Sequence, residues 1–237
     1  MHHLAPGCFF VKIAIMITNI LINYPHILAL IVWIIIALVA IARYVKVSFF
    51  ARVSWGWLIA FTIAFHFGYA GLLTWGQYHI WSAPSNDFGK SLLSSPLPAE
   101  TPLPIFLEWV RPHLARPLGY FAFDVFMRFF FNIIILIGLA GLFALFLKLR
   151  ARYRPINFGE NDIAAITLAV LVSGWPGVIV LIPLGFLCAI LISLGMRMFR
   201  GAERIYLPPA FLLAAPIAIT WGVPILTYFH LYSLLKV

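Results

Sequence analysis

Few side chains in this sequence can do chemistry, and most of those lie in apolar surroundings. Asp124, Arg128 and Asn132 follow one another at i, i+4 and i+8, the spacing that sets side chains in one polar strip along a helix. Such a strip is either a polar site inside a membrane, the default reading for intramembrane ionisable groups, or an ion pair within the helix that lets its end sit at the interface. His66 lies among Ala64, Gly68, Ala70 and Gly71. A proton relay or a metal there needs acidic partners, and none is near it in sequence. A hydrogen bond from His66 to a neighbouring helix is the simpler reading. Asp162 precedes a long apolar run and suits a helix N-cap, where a carboxylate accepts from the first free amides. Gln77, His79 and Trp81 suit interfacial anchoring, or a ligand site shared with the polar region that follows. Cys8 and Cys188 form no CxxC pair. Neither a metal nor a cofactor is expected.

The elements that must carry these residues are set by where charge is absent. The chain has 237 residues, of which 64% are hydrophobic and 10% charged. No Asp, Glu, Lys or Arg occurs in 13–42, 53–86, 129–147, 163–196 or 205–235. A helix needs about 20 apolar residues to cross a bilayer, so these stretches exclude a soluble globule. Their apolar residues do not alternate, which argues against an outer-membrane barrel. The expected fold is an all-α, polytopic transmembrane bundle of six to seven helices in a single membrane domain, 1–237. Lys12 precedes an apolar run that no small-x-small site follows, so that run reads as retained rather than as a cleaved signal. Pro25 interrupts the first stretch, and His26 to Ala42 is the span expected after it. The stretch 163–196 is long enough for a hairpin turning at Gly174-Trp175-Pro176-Gly177. The last stretch, with Pro208, Pro209, Pro216 and Pro224, is either one kinked helix or a shallow hairpin.

Residues 78–118 form the one long polar region. It holds seven prolines and balanced charge, and a short helix is expected over 105–110. The net charge of +9 does not point to nucleic acid, because no aromatic–basic motif accompanies it. It reads as topology. Ten of the 16 Lys and Arg fall in 43–52, 148–154 and 197–204. These segments are expected on the cytoplasmic side of the cell (inner or plasma) membrane, with 78–118 outside. The lipid bilayer is the first partner this implies.

Over residues 119–237 a family resemblance emerges. Phe158-Gly159-Glu160-Asn161-Asp162 is followed by an Ala/Leu-rich segment, then Gly174-Trp175-Pro176-Gly177, then an apolar segment and a basic loop. Ile205-Tyr206-Leu207-Pro208-Pro209-Ala210-Phe211 and Trp221-Gly222 come next. Upstream, Asp124, Arg128, Asn132 and Gly138-Leu139 keep a matching order. In this order and spacing the chain resembles the C-terminal half of type IV prepilin peptidases, membrane aspartyl peptidases of the GxGD type. The resemblance implies Asp124 and Asp162 as the catalytic pair. It places Gly159 and Asn161 in the motif around the second aspartate, and Arg128 and Asn132 beside the first. Pilin-like or secretion components are the partners it implies.

The departures bear on catalysis. Asn161 stands where the family has its second motif glycine. Ala164 replaces the lysine usual two residues after the second aspartate, and Phe131 the proline before the asparagine. The cysteine-bearing N-terminal loop of many members is not in this sequence. Aspartyl catalysis needs two carboxyls close enough to share a proton. Here a single apolar stretch separates Asp124 from the basic segment before Asp162. Helical rise over that stretch is about 36 Å. The expectation is therefore a prepilin-peptidase-like protein that lacks a competent pair and acts by binding. An active aspartyl peptidase is the alternative, and a small transporter or lipid-handling protein a third reading.

Overall fold

The computed structural model describes residues 24–153, 160–200 and 207–235, and within them every regular element is helical. α1 is Pro25–Tyr44 and α2 is Trp55–Trp81. A polar segment follows with α3, Asp87–Ser94, a 3₁₀ turn at Ile105–Val110, and α4, Arg111–Leu114. α5 runs through Gly119–Tyr153. α6 is Glu160–Ser173, α7 is Gly177–Arg200, α8 is Leu207–Tyr228 and α9 is Tyr232–Leu235. Five helices, α1, α2, α5, α7 and α8, are long and apolar enough to cross a membrane. α6 is shorter, at 14 residues, so length alone does not reach the expected six to seven.

Local sequence explains the element ends. Pro25 opens α1, where its missing N–H costs nothing because the first amides of a helix have no partner. Ser54 caps α2 by accepting from the Trp57 amide at 3.1 Å. The helix continues through Gln77 to Trp81, so the polar region begins four residues later than the sequence suggests. Gly174 has φ +67°, a conformation open to glycine at little cost, and it turns the chain between α6 and α7. The expected hairpin is thus present, with very unequal arms. The last stretch forms one long helix, α8, with Pro216 and Pro224 inside it, followed by the short α9.

The packing is that of a membrane bundle. α1 points Ile27, Ile31, Ile35 and Leu38 outward and buries Ala29, Ile36, Ala37 and Ala40. Large apolar groups face outward and small ones let backbones approach, as expected where lipid tails are as apolar as leucine. α7 and α8 lie antiparallel and close. A Cβ on Gly185 would meet the Phe211 ring at 2.8 Å, and one on Gly222 would meet the Gly177 Cα at 3.3 Å. α6 is the centre of the bundle. Ala165, Ile166, Leu168, Ala169, Val170, Leu171 and Val172 are all buried there, packed by α1, α2, α5 and α8.

This packing sorts the helix ends. The α1 C-terminus meets the α2 N-terminus, with the Arg43 guanidinium 4.8 Å from the Trp55 ring centroid. Tyr44 reaches Asp162 in the first turn of α6. The ends bearing Lys148, Arg150, Arg152 and Arg197 lie at this same end of the bundle. The 174–176 turn, the N-terminus of α1 and the C-terminus of α2 lie towards the other. Leu97, Leu118 and Tyr120 amides donate to the carbonyls of Leu114, Leu93 and Ser95, tying the polar segment onto the start of α5.

Candidate functional site

The polar groups form two clusters at opposite ends of the bundle. At the basic end the Tyr44 hydroxyl donates to Asp162 Oδ1 over 3.4 Å. The described α6 begins at Glu160, so Asp162 lies inside the first turn instead of capping it. A carboxylate there still gains from the positive end of the helix dipole. Arg43 donates through Nη1 to the Ala51 carbonyl at 2.7 Å, while its Nε is buried with no hydrogen-bond partner among the described residues. Asn161 is exposed. Gly159 lies outside the described residues.

At the other end α5 departs from ideal geometry. Residues Phe126–Phe130 form a π turn, and the Phe131 amide donates to the Phe126 carbonyl five residues back. Such turns insert one residue into a helix and recur at functional sites. The expected strip keeps its i,i+4 pair across the turn, but loosely. Asp124 Oδ2 accepts from Gln77 Nε2 of α2 at 2.7 Å, while Arg128 Nη2 stays 3.9 Å from Asp124 Oδ1. Asn132 Nδ2 donates to the Arg128 carbonyl at 3.0 Å, and Asn132 Oδ1 is buried without a partner among the described residues. The short bond of Asp124 is therefore between helices, and the pair along its own helix is loose.

His66 donates through Nε2 to the Leu171 carbonyl at 2.9 Å. The cause lies in the length of α6. Its last carbonyls have no amide of their own helix to accept from, and they end inside the bundle. His66 supplies a donor from α2, and its ring packs against Trp33 with centroids 4.2 Å apart. One turn further along α2, the Tyr69 hydroxyl pairs with His26 Nδ1 at 2.7 Å.

Beyond the end of α6 the bundle opens. A cleft of about 440 Å³ lies between α1, α2, α5, the 174–176 turn and α8, within the range of small-molecule sites. His26, His66, Tyr69, Arg128 and Asn132 line it with apolar neighbours. A second cleft of about 320 Å³, between the start of α1, α2 and α5, also has Arg128 in its wall.

The structure brings His66, Arg128 and Asn132 together in one cleft. It does not bring Asp124 and Asp162 together. From Asp162 up α6 to Leu171, across to His66, and on along α2 to Gln77 is about 30 Å at the helical rise. His26 and Tyr69 were not singled out from sequence, although Thr62, His66, Tyr69 and Gln77 recur at helical spacing on one side of α2. No group of His, Cys, Asp and Glu able to hold a metal occurs among the described residues. No protein-family model matches the chain, and no curated protein or solved structure matches it.

Proposed function

We propose that the chain is a multi-pass protein of the cell (inner or plasma) membrane, laid out like the C-terminal half of a prepilin peptidase, that binds pilin-like or secretion-system membrane segments without cutting them. The observation that carries this reading is the distance between the carboxyls. Asp162 is held by Tyr44 at the basic end, and Asp124 by Gln77 at the other. Carboxyls about 30 Å apart along helices of 1.5 Å rise cannot share a proton. In this proposal α6 counts as a sixth membrane helix and 78–118 faces outside.

The test is to reconstitute the protein with a pilin-like precursor carrying a photoreactive residue in its apolar segment. Crosslinking without cleavage, unchanged in Asp162→Ala, is the expected result. Cleavage that Asp162→Ala and Asp124→Ala both abolish would establish the active aspartyl endopeptidase instead. Neither cleavage nor crosslinking would overturn the binding role.

A further inference from the structure

We infer that the two clefts flanking Arg128 form one site for a phosphate-bearing amphiphile. Arg128 holds the phosphate, and each cleft takes a length of one hydrocarbon chain. The inference is independent of the prepilin-peptidase reading. Its first ground is position. Arg128, Phe129 and Leu73 line both clefts, so a single guanidinium sits where the two meet. The walls away from it are mostly apolar, with Ala29, Leu30 and Leu136 in the larger, which also holds His26, His66 and Tyr69, and Leu72, Trp75 and Ile80 in the smaller, which also holds Gln77. One cationic point joining two apolar channels matches the branching of a two-chain phospholipid.

The second ground is unspent hydrogen-bonding capacity. A guanidinium has five N–H donors in a planar fork that fits phosphate oxygens. The one acidic group beside it, Asp124, is 3.9 Å away and already takes the Gln77 amide at 2.7 Å. The Arg128 side chain is 58% exposed. Asn132, whose Oδ1 has no donor among the described residues, also lines the larger cleft. The third ground is depth. Trp81 stacks with Tyr120 and meets Phe121 at the end of α2, and Trp75 packs on His79. Aromatic groups of this kind mark the headgroup level of a bilayer. Arg128 lies about two turns along α5 from Tyr120, beside Trp75 in the smaller cleft, where a long side chain can reach up to a headgroup phosphate. Arg128 lies within the π turn and lines both clefts, while staying within ion-pair reach of Asp124.

Native mass spectrometry of the detergent-purified protein tests this with three probes. Dioleoyl phosphatidylglycerol carries phosphate and two chains, dioleoylglycerol only the chains, and glycerol 3-phosphate only the headgroup. Retention of one phosphatidylglycerol per chain is expected, with retention of the other two at least about tenfold weaker. Arg128→Gln should weaken phosphatidylglycerol about tenfold or more, and Arg128→Lys less, since an ammonium keeps the charge but loses the fork. If Arg128→Gln does not yield folded protein, Leu73→Trp blocks both clefts with the charge intact and should weaken the lipid similarly. Phosphatidylglycerol retention unchanged by whichever variant folds would overturn the site. Dioleoylglycerol held as tightly would show an apolar groove only, and glycerol 3-phosphate held as tightly would show a free-phosphate site. Either result would overturn the proposal.

Discussion

Replacing His66 by Phe separates the two things its ring does. The packing against Trp33, at 4.2 Å between centroids, is kept, while the donor to the Leu171 carbonyl is lost. A buried acceptor left without a partner costs about 1–3 kcal/mol, but side-chain bonds between membrane helices average about 0.6 and reach about 1.7 kcal/mol. Leu171 also keeps a long bond from the Gly174 amide at 3.3 Å. The expected cost is therefore about 1 kcal/mol. For a chain of 150–250 residues each kcal/mol moves the midpoint by about 2–4 °C, so His66→Phe should lower Tm by about 3 °C. His66→Gln, which keeps an N–H donor, should recover part of that. Thermal unfolding followed by circular dichroism in one detergent at one scan rate measures both. A Tm for His66→Phe within about 1 °C of the parent, no more than half the smallest shift expected, would refute the argument that α6 needs a donor at its buried end. An equal loss in His66→Gln would refute it as well.

Three further outcomes are expected. Gly185→Ala should destabilise, because the Phe211 ring at 2.8 Å is buried between Phe143 and Phe186, and overpacking of about 1–3 kcal/mol outweighs the roughly 1 kcal/mol gained in helix propensity. Gly141→Ala, with nothing within 4 Å, should be neutral or stabilising, and a pair of Tm values in the reverse order would contradict the packing. In the polar segment the hydrogen bond from Arg111 holds the Glu108 carboxyl below its usual range, so its stabilising effect is present above the unfolded value and lost as pH falls through the folded one. Protection factors of the Leu97 and Leu118 amides, with the intrinsic pH dependence of exchange divided out, should fall across that acidic window, and Glu108→Gln should abolish the change. Finally, a cysteine placed at Lys90 should react with an impermeant thiol reagent added outside, while one at Arg152 should not, as the excess of Lys and Arg at the basic helix ends predicts for the cytoplasmic side; the opposite pattern would invert the topology.

The motif residues show where sequence reasoning stops. Asp124, Arg128 and Asn132 were legible as a polar run, but the partner of Asp124 is Gln77, some fifty positions away and brought near only by α2 packing on α5. Nothing in the local pattern announces the π turn at Phe126–Phe130, because one inserted residue changes direction without changing composition. Asp162 was expected as a cap, yet the helix starts earlier at Glu160 and the carboxylate meets Tyr44.

Charge-free length alone determined that this is a helical bundle with membrane-spanning segments, since each such segment reports on one helix and its solvent. Pro25, Ser54 and Gly174 determined where particular helices start or turn, because caps and turns are local. The tertiary structure decided how far each helix reaches relative to its neighbours, which no single segment encodes. It made α6 short and central, gave His66 a carbonyl to satisfy, and left the space above that end as a cleft with Arg128 in its wall. A cleft belongs to the gap between helices, and a gap exists only once their relative heights are fixed.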